Sequence, residues 1–317
     1  MRKVLPLFVV LLSIGGGCST REVETRTAIT IATGGTGGVY HPLGETLARI
    51  YTEQVPGITA TAHATVASVF NVQAIQKGAA DVAFTQGDVA YFAFRRGTDT
   101  EPHPHSRLRG MAVLYVNTVQ IVAHRDGGIR QISDFRGKRI GVGAPGSGTE
   151  VAARVIIEGH GLQYSDVTES FLTFSETAER MQAGTLDAGF IVASYPAAAV
   201  SDAAHTFGIR LIPVTRNAVE QIRSHYPFFK PFVIPRGTYQ GQTQDVETIG
   251  VDNLLICRDD LPEELVYTMT KALFENLPEL AATHSAATLI DAEQGPATPI
   301  PLHPGAARYY RERELLK

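Results

Sequence analysis

Apolar positions recur along the chain with two alternating periods. Short runs such as AITIA at 28–32, ITATAHA at 58–64 and DVAFT at 81–85 are each followed by a stretch with helical apolar spacing, at 39–54, 66–76 and 88–95. This alternation predicts βαβ units and a parallel sheet, because a strand covered on both faces reads as an apolar run and its crossover helix as an amphipathic one. A second series begins with GMAVLYV at 110–116 and VQIVAH at 119–124, read as two strands. KRIGVGAPGSGTEVAARVIIEGHG at 138–161 repeats the order strand, glycine turn, helix. A strand near 167–171, a helix near 175–182 and strands at 186–192 and 208–214 complete the series. The long run DVETIGVDNLLICRD at 245–259 predicts a strand able to pass between two lobes. Beyond it, Asp260 and Glu263 predict a capped helix with Leu265, Met269, Leu273 and Leu277 on one face. The tail from 301 predicts a last helix in which Tyr309 and Tyr310 pack. The fold class is α/β, with the architecture repeated but no fixed sequence period.

At 317 residues and 44% hydrophobic, the chain can build two lobes with separate cores. Its 28 Lys and Arg against 32 Asp and Glu leave no basic excess, which removes nucleic acid as a partner. The first residues differ in kind: Arg2 and Lys3, an apolar run at 4–14, three glycines and Cys18. This is an export signal at 1–17 whose apolar run is too short to span a bilayer, with 18–27 as a linker. Two readings stay open. Cys18 can be acylated as a lipoprotein N-terminus, which an unpaired exported cysteine favours, or it can be incidental to a simple cleaved signal. Gly15 stands where a lipoprotein signal usually carries Leu. Either way the mature protein is expected in the periplasm or at the cell surface, held to the membrane through lipid at Cys18 in the first case. The other cysteine, Cys257, lies in an apolar run and reads as a buried small hydrophobe, so no disulfide framework is expected.

Candidate chemistry gathers at the glycine turns. TGGTGGVYHP at 33–42 has four glycines in five residues at the start of a helix, where unpaired N–H groups and the helix dipole favour an anion. It lacks the lysine of a P-loop, and Tyr40 stands where a dinucleotide fingerprint needs a small residue. Nucleotide binding is therefore rejected. Tyr40 offers an aromatic wall with a hydroxyl, or equally a core tyrosine. GVGAPGSGTE at 141–150 is built alike, with Gly146 and Gly148 opening the backbone and Ser147 or Thr149 able to cap the helix. Ser68, Asn71, Gln86 and Asp88 follow strand ends where ligands of open α/β sheets bind; taken singly, Asn71 reads as solvated and Ser68 and Asp88 as caps. Ser194 and Tyr195 hold the matching place in the second series, and Tyr239 reads as an exposed loop aromatic. EPHPHSRLR at 101–109 reads as a solvated loop, since His103 and His105 lack partners at ligand spacing. No nucleophile elbow or H-E-x-x-H is present, and neither a cofactor nor a metal is expected.

Five blocks then carry a resemblance: ITIATGGTGGVYHPLGETLA, SVFNVQAIQKGAADVAFTQGDVAYFA, GKRIGVGAPGSGTEVAARVIIE, GTYQGQTQDVETIGVDNLLICRDDLPEELVYTMTKALFEN and PLHPGAARYYRE. Over 28–312 the chain resembles the TAXI family, the extracytoplasmic solute receptors of tripartite ATP-independent periplasmic (TRAP) transporters. The resemblance implies a type II periplasmic-binding fold, with 28–120 plus 255–317 as one lobe and 121–254 as the other. It also implies a non-catalytic receptor for a small carboxylate of the glutamate, glutamine or 2-oxoglutarate kind, handed to TRAP permease subunits. By motif position, Thr36, Gly37, Gly38 and Tyr40 would line the first wall, Ser68, Asn71 and Gln86 the floor, and Ser147, Gly148 and Thr149 the second wall. VASYP departs from the small-residue run usual there, so Ser194 and Tyr195 bear on ligand choice. No arginine falls in either turn, which leaves carboxylate capture to backbone N–H groups and hydroxyls. The alternatives are an enzyme on the same fold using His41 or Asp88, and a receptor that reports to a sensor protein. Closure is expected to hinge at crossings near 119–124 and 248–257.

Overall fold

The computed structural model describes residues 26–316 apart from Gly37. The signal at 1–17, the linker as far as residue 25 and Cys18 lie outside the described residues. The chain runs β1 (Thr27–Ala32), α1 (Tyr40–Gln54), β2 (Ile58–His63), α2 (Ser68–Lys77), β3 (Val82–Gln86), α3 (Gly87–Arg96) and β4 (Leu108–His124). It continues through β5 (Arg139–Gly143), α4 (Gly148–Gly159), β6 (Thr168–Phe171), α5 (Phe174–Gln182), β7 (Ala188–Ala193), α6 (Ala198–Thr206), β8 (Ile209–Leu211), α7 (Arg216–His225) and β9 (Lys230–Ile234). Then come β10 (Val246–Arg258), α8 (Glu263–Glu275), α9 (Leu277–Thr283) and α10 (Pro304–Glu312).

The strands form one sheet in the order β2-β1-β3-β10-β4-β7-β5-β6, with β8 on β4 and β9 on β10. The β1–β2, β1–β3, β5–β6 and β5–β7 pairs are parallel, as βαβ units require. β4 and β10 are antiparallel to their neighbours and run through both halves of the sheet. The two runs read as separate strands at 110–116 and 119–124 are one 17-residue strand. Asn117 and Thr118, which interrupt the apolar pattern, sit inside it because the strand leaves one core there and enters another.

Four apolar clusters divide between the halves. Residues 29–115 and 255–310 build one cluster, with α1, α8, α9 and α10 on that face, and α2 and α3 cover the opposite face over Ala83, Val113 and Leu254. In the other half, Val119, Ile121 and Val251 pack under α4 and α7, and Val122 and Ile191 under α5 and α6. Each half is thus a sheet with helices on both faces, the layered solution for parallel strands. Cys257 is fully buried beside β4, and burial pushes its thiol pKa well up, as for a small hydrophobe.

Close packing explains part of the C-terminal motif. A Cβ at Gly305 would stand 2.2 Å from Glu263 O and 2.6 Å from Tyr267 N, so only glycine lets α10 lie against α8. Tyr310, fully buried, donates to Met111 O at 2.8 Å. Three expectations change. Asp260 does not cap α8, whose N-cap is Pro262; its carboxylate is drawn to Arg107 and Arg258 instead. His105 is 1% exposed rather than solvated, because its segment folds back so that His105 N–H donates to Ala93 O at 2.8 Å. α6, α7 and β9 were not foreseen.

Candidate functional site

The N-termini of α1, α2, α3, α4 and α6 follow the C-terminal ends of β1, β2, β3, β5 and β7. Among them only α4 has a side-chain cap, Ser147 accepting from Glu150 N–H at 3.3 Å. The first N–H groups of an α-helix have no partner of their own, so these ends keep free donors and partial positive charge. The β5–α4 turn is tight: Gly143 has φ +100, and a Cβ there would stand 2.6 Å from Thr149 Cβ. Gly146 at φ +73 completes the turn, which explains the glycines of GAPGSGT.

The two halves touch at this turn. Val69 N–H, in the first turn of α2, donates to Gly146 O at 3.0 Å. Gln86, at the end of β3, lies so close to Gly148 that a Cβ there would be 2.4 Å from its Cδ and Oε1. Gln86 is 3% exposed, and its Oε1 accepts no hydrogen bond. Its backbone N–H donates to Ser68 Oγ at 3.1 Å. The residues predicted for the floor and the second wall therefore meet, with Ser68, Gln86, Gly148 and Thr149 all buried.

Tyr40 packs and also presents its hydroxyl. Its ring stacks on Phe84 with centroids 5.3 Å apart, and its Oη donates to Asn253 Oδ1. Burial drives its pKa well up, with Ser68 opposing and Asp88 reinforcing the push. Asn253 Oδ1 also accepts from Asn117 Nδ2 at 3.0 Å, and Asn253 Nδ2 donates to Tyr115 O at 3.1 Å. Asn117, Asn253 and the neighbouring Asp252, paired with Lys230 at 2.7 Å, were missed by sequence reasoning. The signal was present: polar residues interrupting the apolar runs of β4 and β10.

Other predicted residues stand apart from this meeting point. Thr36 and Gly38 are exposed and Gly37 lies outside the described residues. Asn71 is fully buried and spent: Nδ2 donates to Thr33 O at 2.6 Å and Phe84 O at 2.7 Å, and Oδ1 accepts from Thr65 Oγ1 at 2.7 Å. The reading of Asn71 as a solvated residue is corrected; it braces the ends of β1 and β3. Beside it α2 starts from Ala67 at φ 75, a strained conformation for a non-glycine residue. Ser194 is half-buried, and Tyr195 packs edge-on to Phe232 at 5.8 Å. Tyr239 is buried rather than exposed: its Oη accepts from Ala197 N–H at 2.8 Å and donates to Gln120 Oε1, and so holds the start of α6. His41 pairs with Thr33 Oγ1 at 3.2 Å and stands 3.5 Å from Glu45.

Asp88 is fully buried in the first turn of α3, Oδ1 accepting from Val89 N–H at 2.8 Å and Oδ2 accepting nothing. Burial pushes its pKa from 3.8 up to about 7, against the lowering effect of the backbone bonds. A carboxyl that holds its proton more tightly when folded contributes full stability below about pH 4. That contribution is lost as pH rises to about 7, a change of up to about 4 kcal/mol. Urea midpoints for the wild type and Asp88→Asn at pH 5 and pH 8 should show the wild type losing more across that interval; parallel losses would contradict it.

A cavity of about 520 Å³ borders the meeting point at Val69 and Gly146 and extends between Phe92 and Arg96 of α3, Glu150 and Arg154 of α4, and Ile222 and Tyr226. It is an interlobe groove, bridged by Arg154 to Asp99 at 3.1 Å. Among the described residues no group of three metal-ligating side chains gathers, and no helix is long and apolar enough to cross a membrane.

Two lobes threaded by two long strands, with helix N-termini facing each other across the gap, define the fold of the periplasmic solute-binding proteins. The chain is similar to the alkanesulfonate-binding protein SsuA from Xanthomonas axonopodis pv. citri bound to MOPS, with 17% identity, TM-score 0.50 and coverage of 92% and 94% of the two chains. It is similar to a TctC solute binding protein from Polaromonas, with 16% identity, TM-score 0.52 and coverage of 91% and 98%. A putative L-cystine ABC transporter from Listeria monocytogenes matches with 12% identity, TM-score 0.53 and coverage of 85% and 98%. At such identities the likeness speaks to the fold. Residues 31–313 match the model of the NMT1-like family, and the chain belongs to that family.

Proposed function

We propose that the protein is an extracytoplasmic solute receptor that closes its two lobes on a small carboxylate and delivers it to TRAP permease subunits. The observation that carries this reading is the approach of Gln86 from one lobe to Gly148 at the N-terminus of α4 in the other. A carboxylate entering as this contact opens would take the unpaired N–H groups of Gly148 and Thr149, with Ser68 and the Tyr40 hydroxyl on the opposite wall. Asn117 and Asn253 fix that hydroxyl from the two strands that would act as hinges. The TAXI resemblance supplies the glutamate, glutamine or 2-oxoglutarate class and the TRAP partner; lipid attachment at Cys18 would keep the receptor at the membrane. A ligand drives closure only through greater affinity for the closed form, and contacts from both lobes provide it. The test is isothermal titration of the protein lacking residues 1–17 against amino acids and dicarboxylates. Micromolar or tighter binding of a small carboxylate is expected; no binding across the panel overturns the substrate claim.

A further inference from the structure

Phe92 is 7% exposed, yet it belongs to none of the four apolar clusters that form the cores of the two halves. Its cover comes from the other half. The ring lies edge-on to Tyr226 with centroids 5.0 Å apart, and edge-on to Phe228 at 6.0 Å. Tyr91, beside it on α3, packs on the same Phe228 at 5.0 Å. Arg96, one turn further along α3, holds its guanidinium 4.6 Å from the Phe92 centroid. Val89, Ala90 and Ala93 fix α3 in the core of the first half, whereas Tyr226 and Phe228 pack against the core of the second. Parting the halves would bring the Phe92 ring into water and break three aromatic pairs, each of which contributes beyond the area it buries. The Arg154–Asp99 bridge nearby joins exposed side chains and adds little. The contact also stands apart from the candidate ligand site, since Phe92 comes six residues after Gln86, about 9 Å along the helix by its rise.

We infer that Tyr91 and Phe92, with Tyr226 and Phe228 opposite them, form an aromatic latch that holds the two halves together without ligand and so sets how much of the ligand-free protein is already closed. A ligand that needs the closed form binds with an apparent affinity scaled by that fraction, although it never touches the rings.

Phe92→Ala removes two of the three pairs and should lower the closed-to-open ratio by about 5- to 100-fold. Small-angle scattering of the ligand-free protein lacking residues 1–17 reads the change: a larger radius of gyration than the wild type is expected, with a thermal melt that shows a folded protein. Should Phe92→Ala unfold, Tyr226→Ala cuts the latch from the other half at a half-buried position and gives the same readout. Tyr226→Phe keeps the ring and should keep the wild-type radius. Saturating ligand should return the expanded variant to the radius of the liganded wild type, at a Kd raised in step with the closed fraction lost. Wild-type radii in folded, ligand-free Phe92→Ala and Tyr226→Ala overturn the latch, because the rings are then a pivot kept in both forms. Expansion that saturating ligand does not reverse overturns it as well, as damage to the fold. The ligand-free comparison involves no carboxylate, so absence of binding to every compound in the titration panel bears on the receptor reading alone.

Discussion

Asn71→Ala should lower the unfolding free energy by about 3 kcal/mol or more, the largest stability effect of any single side chain around the cleft. Asn71 is fully buried and ties three groups together, Thr33 O, Phe84 O and the Thr65 hydroxyl, at 2.6, 2.7 and 2.7 Å. Truncation leaves those groups without this partner in a place water does not reach, and each orphaned group costs about 1–3 kcal/mol. Thr33 O also accepts from Thr65 Oγ1 and Phe84 is in a paired strand, so the sum falls toward the lower end of that range. Asn71→Asp should destabilise too, because an acid presents no amide donor to the two carbonyls. Urea denaturation checks both; an Asn71→Ala midpoint equal to that of the wild type would show that the brace carries no weight.

Gly148→Val should reduce ligand affinity by more than about 100-fold while leaving the fold intact. Even the first added carbon would stand 2.4 Å from Gln86 Cδ and Oε1 and 3.0 Å from Cγ, and valine adds two more beyond it. Gln86 is 3% exposed, so its side chain has little room to retreat and the lobes must part instead. Binding that depends on a closed form falls in proportion as that form is depopulated. Gly148 begins α4 in an ordinary helical conformation, so the lobe itself should tolerate the change. Titration together with a thermal melt separates the effects: lost binding with an unchanged melt is expected, and unchanged affinity would remove the α4 terminus from the site.

The parts of the fold that were legible are those with a strong local period. β1 to α3 and β5 to α5 could be read because each apolar run is short, β-rich and closed by glycine or a polar turn. α7, RNAVEQIRSH, was not, since it buries only Ala218, Val219 and Ile222 and reads as a polar segment. β4 was split in two because its polar pair, Asn117 and Thr118, looks like a break until two cores are known to lie on either side. The glycine turns were read as anion-favouring ends, and the second of them meets Gln86. What stayed hidden was set by contacts between distant residues. Tyr239 looks like a loop aromatic until β4 brings Gln120 to its hydroxyl, 119 residues away in sequence. Asn71 looks like a solvated helix residue until the ends of β1 and β3 are stacked above it.

The account stands most directly on closure of the two lobes around ligand. Small-angle scattering from the protein lacking residues 1–17, with and without the tightest carboxylate from the titration, measures it. A smaller radius of gyration with ligand, absent in Gly148→Val, is the result expected. Saturating ligand with no compaction of the wild type would contradict it.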